Sequence, residues 1–122
     1  MFLSITNQKF RLELDQWYEK LFAFHFGGII TVPIEHITAV STTKPEFSWK
    51  TLRAPGTGLP GVLMAGTFYT ENGREFWYIK RDPNYLVIDL KDEYYKRIVL
   101  TLDNHEFWAE RISQTISSTS IS

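Results

Sequence analysis

Asp89, Asp92 and Glu93 lie close together in the chain, as do Glu71 and Glu75. Paired carboxylates do acid–base chemistry when burial holds one of them protonated. The turn and outward strand positions expected here leave these side chains facing solvent. His25, His36 and His105 fall on three separate segments, without a repeated His, Asp or Glu ligand spacing, so no metal site is expected. The loop Arg53-Ala54-Pro55-Gly56-Thr57-Gly58-Leu59-Pro60-Gly61 is rich in glycine. A phosphate-binding loop, however, needs Gly-Lys-Ser/Thr opening a helix. Here Gly61 leads into the strand-like Val62-Leu63-Met64 with no lysine. There is no Gly-x-Ser-x-Gly elbow, and the absence of cysteine removes thiol nucleophiles and thiolate metal sites. The sequence therefore points to a protein that is not an enzyme and needs no cofactor.

The remaining candidates suit binding. Lys9 and Arg11 share the outward face of a strand with Glu13, where a solvated face is the ordinary expectation. Lys50 and Arg53 of the long loop, with Arg74, can add to a small basic patch if the fold brings them together. Phe47 and Trp49 sit in an otherwise polar loop. With Tyr69, Trp77 and Tyr78 they form an aromatic group that either packs back on the body or meets a partner. Phe47, Trp49, Lys50, Arg53, Lys9, Arg11 and Arg74 are thus the candidate interaction surface.

Composition narrows the partner. The chain has 122 residues and a formal net charge of -1. It is long enough for one domain with its own core. Without a basic excess it lacks the electrostatic footprint of a nucleic-acid binder, and the same balance argues against peripheral contact with anionic membranes. Met1 to Asn7 does not read as a signal peptide. The most apolar window, Leu21 to Val32, is shorter than the roughly 20 residues of a spanning helix. A soluble, cytoplasmic protein is expected.

These residues are positioned by a mainly β chain. Phe10, Leu12 and Leu14 alternate with charged residues, as in a half-buried strand. Asp15 can cap a helical turn in which Trp17, Leu21 and Phe24 are spaced as on one helix face. Ile29 to Val32 reads as a strand, Ile34-Glu35-His36 as a short helical pass after Pro33, and Ile37 to Ser41 as a strand. Residues 42–61 form a long loop, and loops of that length are usually functional or mobile. Val62 to Tyr69, Arg74 to Lys80, Tyr85 to Leu90 and Tyr95 to Leu102 follow as an antiparallel meander. The turns between them are Glu71-Asn72-Gly73, Asp82-Pro83-Asn84 and Lys91-Asp92-Glu93. Asp103 with Glu106 is capping-box-like, and Trp108, Ile112 and Ile116 mark an amphipathic helix that covers the sheet. The domain spans 1–116, and 117–122 is expected to be a disordered polar tail.

Several segments resemble the bacterial pleckstrin-homology-like domains of unknown function. They are Ile30-Thr31-Val32-Pro33-Ile34-Glu35-His36-Ile37, Ala54-Pro55-Gly56-Thr57-Gly58 with Pro60-Gly61, Ala65-Gly66-Thr67-Phe68, Gly73-Arg74-Glu75-Phe76-Trp77, Leu86-Val87-Ile88-Asp89-Leu90, and Tyr95 to Leu102 before the helix. The resemblance covers roughly residues 5–116. It implies a partly open, seven-stranded antiparallel β-barrel or sandwich capped by one C-terminal α-helix. It also implies no catalysis, and a role in binding or assembly with a protein partner or with further copies of the chain. Some such domains form rings. The alternative is a small-barrel carrier of an apolar or anionic small ligand, lipid headgroups included.

Overall fold

The computed structural model describes residues 2–13, 29–45, 62–70, 73–80 and 84–121. The strands are β1 (Phe2–Thr6), β2 (Lys9–Glu13), β3 (Ile29–Pro33), β4 (Ile37–Ser41), β5 (Val62–Thr70), β6 (Gly73–Lys80), β7 (Tyr85–Leu90) and β8 (Arg97–Thr101). A 3-10 turn at Ile34–His36 separates β3 from β4, and the helix α1 (His105–Ile121) closes the order. The chain is mainly β with one C-terminal helix among the described residues. The strands form two sheets and no closed barrel, in the orders β1-β2-β3 and β4-β7-β8-β6-β5.

The three-stranded sheet follows from alternation. Phe10 and Leu12 of β2 face inward and pair with Val32 and Ile30 of β3, while Ile5 and Leu3 of β1 complete the apolar face on the other side. β1 is an eighth strand that the sequence reading did not include. Its hairpin to β2 turns on Asn7 and Gln8, both at positive φ (54° and 61°). A two-residue turn of this kind normally carries glycine at its second position, and glutamine there conceals the signal. The Gln8 carbonyl accepts a bond from Ile34 N at 2.9 Å, which ties the hairpin to the 3-10 turn.

The five-stranded sheet departs from the expected meander. β6 and β8 run parallel, with Trp77 opposite Val99. β7 and β8 pair antiparallel, so β8 returns between β7 and β6. Ile98, Val99 and Leu100 are all buried. A strand apolar on both faces belongs in the centre of a sheet. That unbroken run is the sequence signal for the insertion, and alternation alone does not register it.

The main core lies between the sheets. It joins Phe10, Leu12 and Val32 to Phe76, Tyr78, Leu86, Ile88 and Ile98. The helix contributes Ile112, with Trp108, Ala109 and Ile116 packed around it, and α1 lies against β4, the 3-10 turn and β7. Its first backbone bond runs from Trp108 N to Asn104 O at 3.2 Å. This puts the boundary at Asn104 rather than Asp103. The helix continues to Ile121, into the segment expected to be a disordered tail. Within the helix, the Thr115 hydroxyl donates to Arg111 O at 2.8 Å. A second apolar cluster, Phe68, Trp77, Ile79, Tyr85, Val87 and Val99, lies on the opposite face of the five-stranded sheet. No helix among the described residues is long and apolar enough to cross a membrane.

Candidate functional site

The carboxylates divide into engaged and exposed groups. Glu75 was expected to face solvent and is instead buried, at 3% exposure. The strand register explains this: Glu75 shares a face with Trp77, on the buried second side of the sheet. Its Oε1 accepts the Trp77 indole N–H at 3.0 Å and its Oε2 accepts the Thr70 hydroxyl at 3.0 Å. Both oxygens are thus bonded within the sheet, an arrangement that fixes the rim of an apolar face. Asp89 pairs with Arg97 Nε at 2.7 Å. Glu93 pairs with His36 Nδ1 at 2.5 Å, and Lys91 N donates to His36 O at 2.9 Å. The 3-10 turn is therefore latched to the β7–β8 connection. His105 is partly buried, with Nε2 3.9 Å from Glu106. Glu71 and His25 lie outside the described residues. No group of three metal-ligating side chains occurs among the described residues.

Of the candidate interaction surface, Phe47, Trp49, Lys50 and Arg53 lie outside the described residues. Lys9 and Arg11 are exposed on the outer face of β2, as expected. With Ser4, Thr6 and Thr31 they line a shallow depression of about 450 Å³. Arg11 approaches Glu13 at 3.7 Å. Arg74 does not join Lys9. It stands on β6 of the other sheet and does not line the depression at Lys9 and Arg11. Trp77 and Tyr78, from the expected aromatic group, are core residues at 2% and 1% exposure, whereas Tyr69 is 72% exposed.

The register collects the exposed apolar side chains at the Glu13 end. Five large hydrophobic residues are exposed among those described: Phe2, Ile29, Tyr69, Tyr94 and Phe107. Ile29, Tyr94 and Tyr69 are grouped around Tyr95, while Phe2 lines the depression at Lys9 and Arg11. Phe2 and Ile29 flank Glu13 on neighbouring strands. Ile29 and Tyr94 line one groove of about 350 Å³, with Ile30, Val32, Leu90 and Tyr95. The Arg74 guanidinium lies 3.9 Å from the centre of the Tyr94 ring, and its Nε donates to Tyr94 O at 3.1 Å. Tyr69 is the cross-strand neighbour of Arg74.

Beneath this group, Tyr95 is rigidly held. Its ring meets Tyr94 edge-on at 4.9 Å, and its hydroxyl bonds Thr67 Oγ1 at 2.8 Å. Burial raises the Tyr95 phenol above its ordinary range, with the Thr67 hydrogen bond opposing the shift. The phenol therefore stays neutral and serves as a fixed support. Sequence reading marked Arg74 and Tyr69 but missed Ile29, Phe2 and Tyr94. The signal available for Tyr94 was an aromatic pair directly following the polar Lys91-Asp92-Glu93 turn.

No family model, curated protein or solved structure matches the chain. The reading of function rests on this geometry.

Proposed function

We propose that the protein is a non-enzymatic binding or assembly domain of pleckstrin-homology-like type, associating with a protein partner or with itself through the Glu13 end. The observation that carries this is the grouping of the exposed Ile29, Tyr94 and Tyr69 around Tyr95 at one groove, with Arg74 stacked on Tyr94. Aromatic and arginine side chains dominate interface energetics, and clustered exposed apolar groups are costly without a partner. Tyr94 is half exposed, yet it sits on the buried Tyr95, so its position is set before any partner arrives.

The test is selection of phage-displayed random peptides on the chain, beside light scattering of the chain over a range of concentrations. The reading expects enriched peptides whose binding is lost in the Tyr69→Ser/Tyr94→Ser protein, or a discrete oligomer that the same substitutions dissociate. A monomer that enriches no peptide would overturn it.

A second reading draws on the depression at Lys9 and Arg11, where two cations, one of them 3.7 Å from the Glu13 carboxylate that also lines it, stand among the hydroxyls of Ser4, Thr6 and Thr31. This donor set suits an anionic small ligand, lipid headgroups included. Titration with inositol phosphates tests it: saturable binding that Lys9→Ala/Arg11→Ala removes supports it, and no binding at physiological salt rejects it.

A further inference from the structure

We propose that the occupant of the groove is an extended segment of a partner protein, which adds as a strand to the outer edge of β3. It seats an apolar side chain against Tyr94 and Tyr95 and sets a carboxylate against Arg74 and Lys96. This deepens the function proposed above and rests on it.

Strand addition is argued from the edges. β1 and β3 are the outer strands of one sheet, and β4 and β5 of the other. β4 and β5 each carry a register irregularity, at Ile37/Ala39 and at Val62/Met64. Such bulges bend an edge away from incoming strands. β3, like β1, carries no bulge, and its one protective residue is Pro33 at the far end from the groove's Ile29. Its five residues pair with β2 in unbroken register, it carries no charge, and Ile29, Ile30, Thr31 and Val32 are all β-branched. Among the described residues its only strand neighbour is β2. Unpaired edge N–H and C=O groups recruit a strand, and neighbouring pockets select its side chains. At β3 that pocket exists, since the residues of this edge line the groove. A volume of about 350 Å³ is at the low end for a ligand site.

Charge selects the segment. Glu93, at the groove, is already engaged by His36. Lys91, Arg74 and Lys96 outnumber the remaining carboxylates at this end, Asp92 and Glu13. Arg74 and Lys96 are adjacent, with Lys96 N donating to Arg74 O at 2.7 Å, and both side chains are exposed. A partner carboxylate gains from both cations.

The test takes one peptide enriched in the selection above and replaces its backbone amides, one at a time, by N-methyl amides. The expected peptide carries an aromatic or aliphatic residue and an Asp or Glu. N-methylation at alternate positions should weaken binding about tenfold or more, and the intervening positions should tolerate it. Arg74→Glu/Lys96→Glu should weaken binding by a similar factor. Tolerance of N-methylation at every position, with binding still lost in Tyr69→Ser/Tyr94→Ser, would overturn strand addition while leaving the proposed function standing. A basic consensus would overturn the charge assignment. A dimer dissociated by Ile29→Lys would make the occupant a second copy. Failure to enrich any peptide, with a monomeric chain, would remove both proposals.

Discussion

The three-stranded sheet buries Phe10, Leu12, Ile30 and Val32 on one face and leaves Ser4, Arg11 and Thr31 open on the other, whereas the five-stranded sheet is apolar on both. In β6 the side chains of Glu75, Phe76, Trp77, Tyr78 and Ile79 are buried in succession. The first sheet has a surface to spare, and its edge strand β3 lines the groove. The second is a structural centre whose polar groups are consumed internally, as Glu75 is by Trp77 and Thr70. Burial on both faces leaves a sheet no open face, so its exposed aromatic and cationic groups, Tyr69, Arg74 and Tyr94, stand at its end.

Substitutions sharpen this contrast. The largest effect is expected at Trp77, where Trp77→Ala should cost about 3–5 kcal/mol from lost burial, with a donor to Glu75 removed as well. Urea unfolding checks it. Arg11→Ala, on the open face of the other sheet, should stay within about 0.5 kcal/mol. Equal losses at the two positions would break the comparison.

Glu75→Leu comes next, at about 1–3 kcal/mol, because the Trp77 indole N–H loses its carboxylate acceptor, while the Thr70 hydroxyl keeps the Gly73 carbonyl at 3.2 Å. The double variant Glu75→Leu/Trp77→Phe should show non-additive loss in a double-mutant cycle, since the two side chains share one bond.

Tyr95→Phe should cost about 1 kcal/mol at neutral pH through the Thr67 hydrogen bond. It also carries a pH signature. The folded-state phenol is raised, so the unfolded chain loses this proton first, near the ordinary tyrosine value of about 10. Native stability from Tyr95 is complete below that pH and declines as pH rises through the raised folded value. The Phe variant should show a shallower alkaline decline in its unfolding midpoint. The smallest change is a gain: Gln8→Gly relieves a residue at φ 61° and should stabilise the hairpin by about 0.5–1 kcal/mol, read as a raised Tm.

How far the sequence carried the fold follows from the same comparison. The alternation of β2 stood out by periodicity, and the 3-10 turn after Pro33 followed from proline chemistry. The order of the second sheet did not, because a continuous apolar run specifies burial on both faces without naming its neighbours. Glu75 was read as outward for a related reason: a charged residue marks the exposed side only when one side is exposed. The site was legible in part. Arg74 was marked as a cation without its stacking partner, because the approach of Tyr94 depends on tertiary geometry. Phe2 and Ile29 look like ordinary strand residues until register aligns them.

The central claim is that the Glu13 end is built for association and the sheet interior for stability. Unfolding and peptide binding measured side by side on the Tyr69→Ser/Tyr94→Ser protein test it most directly. The account predicts a stability loss of no more than about 1–2 kcal/mol together with loss of binding to peptides selected on the natural chain. Retained binding, or a stability loss as large as that of Trp77→Ala, would contradict it.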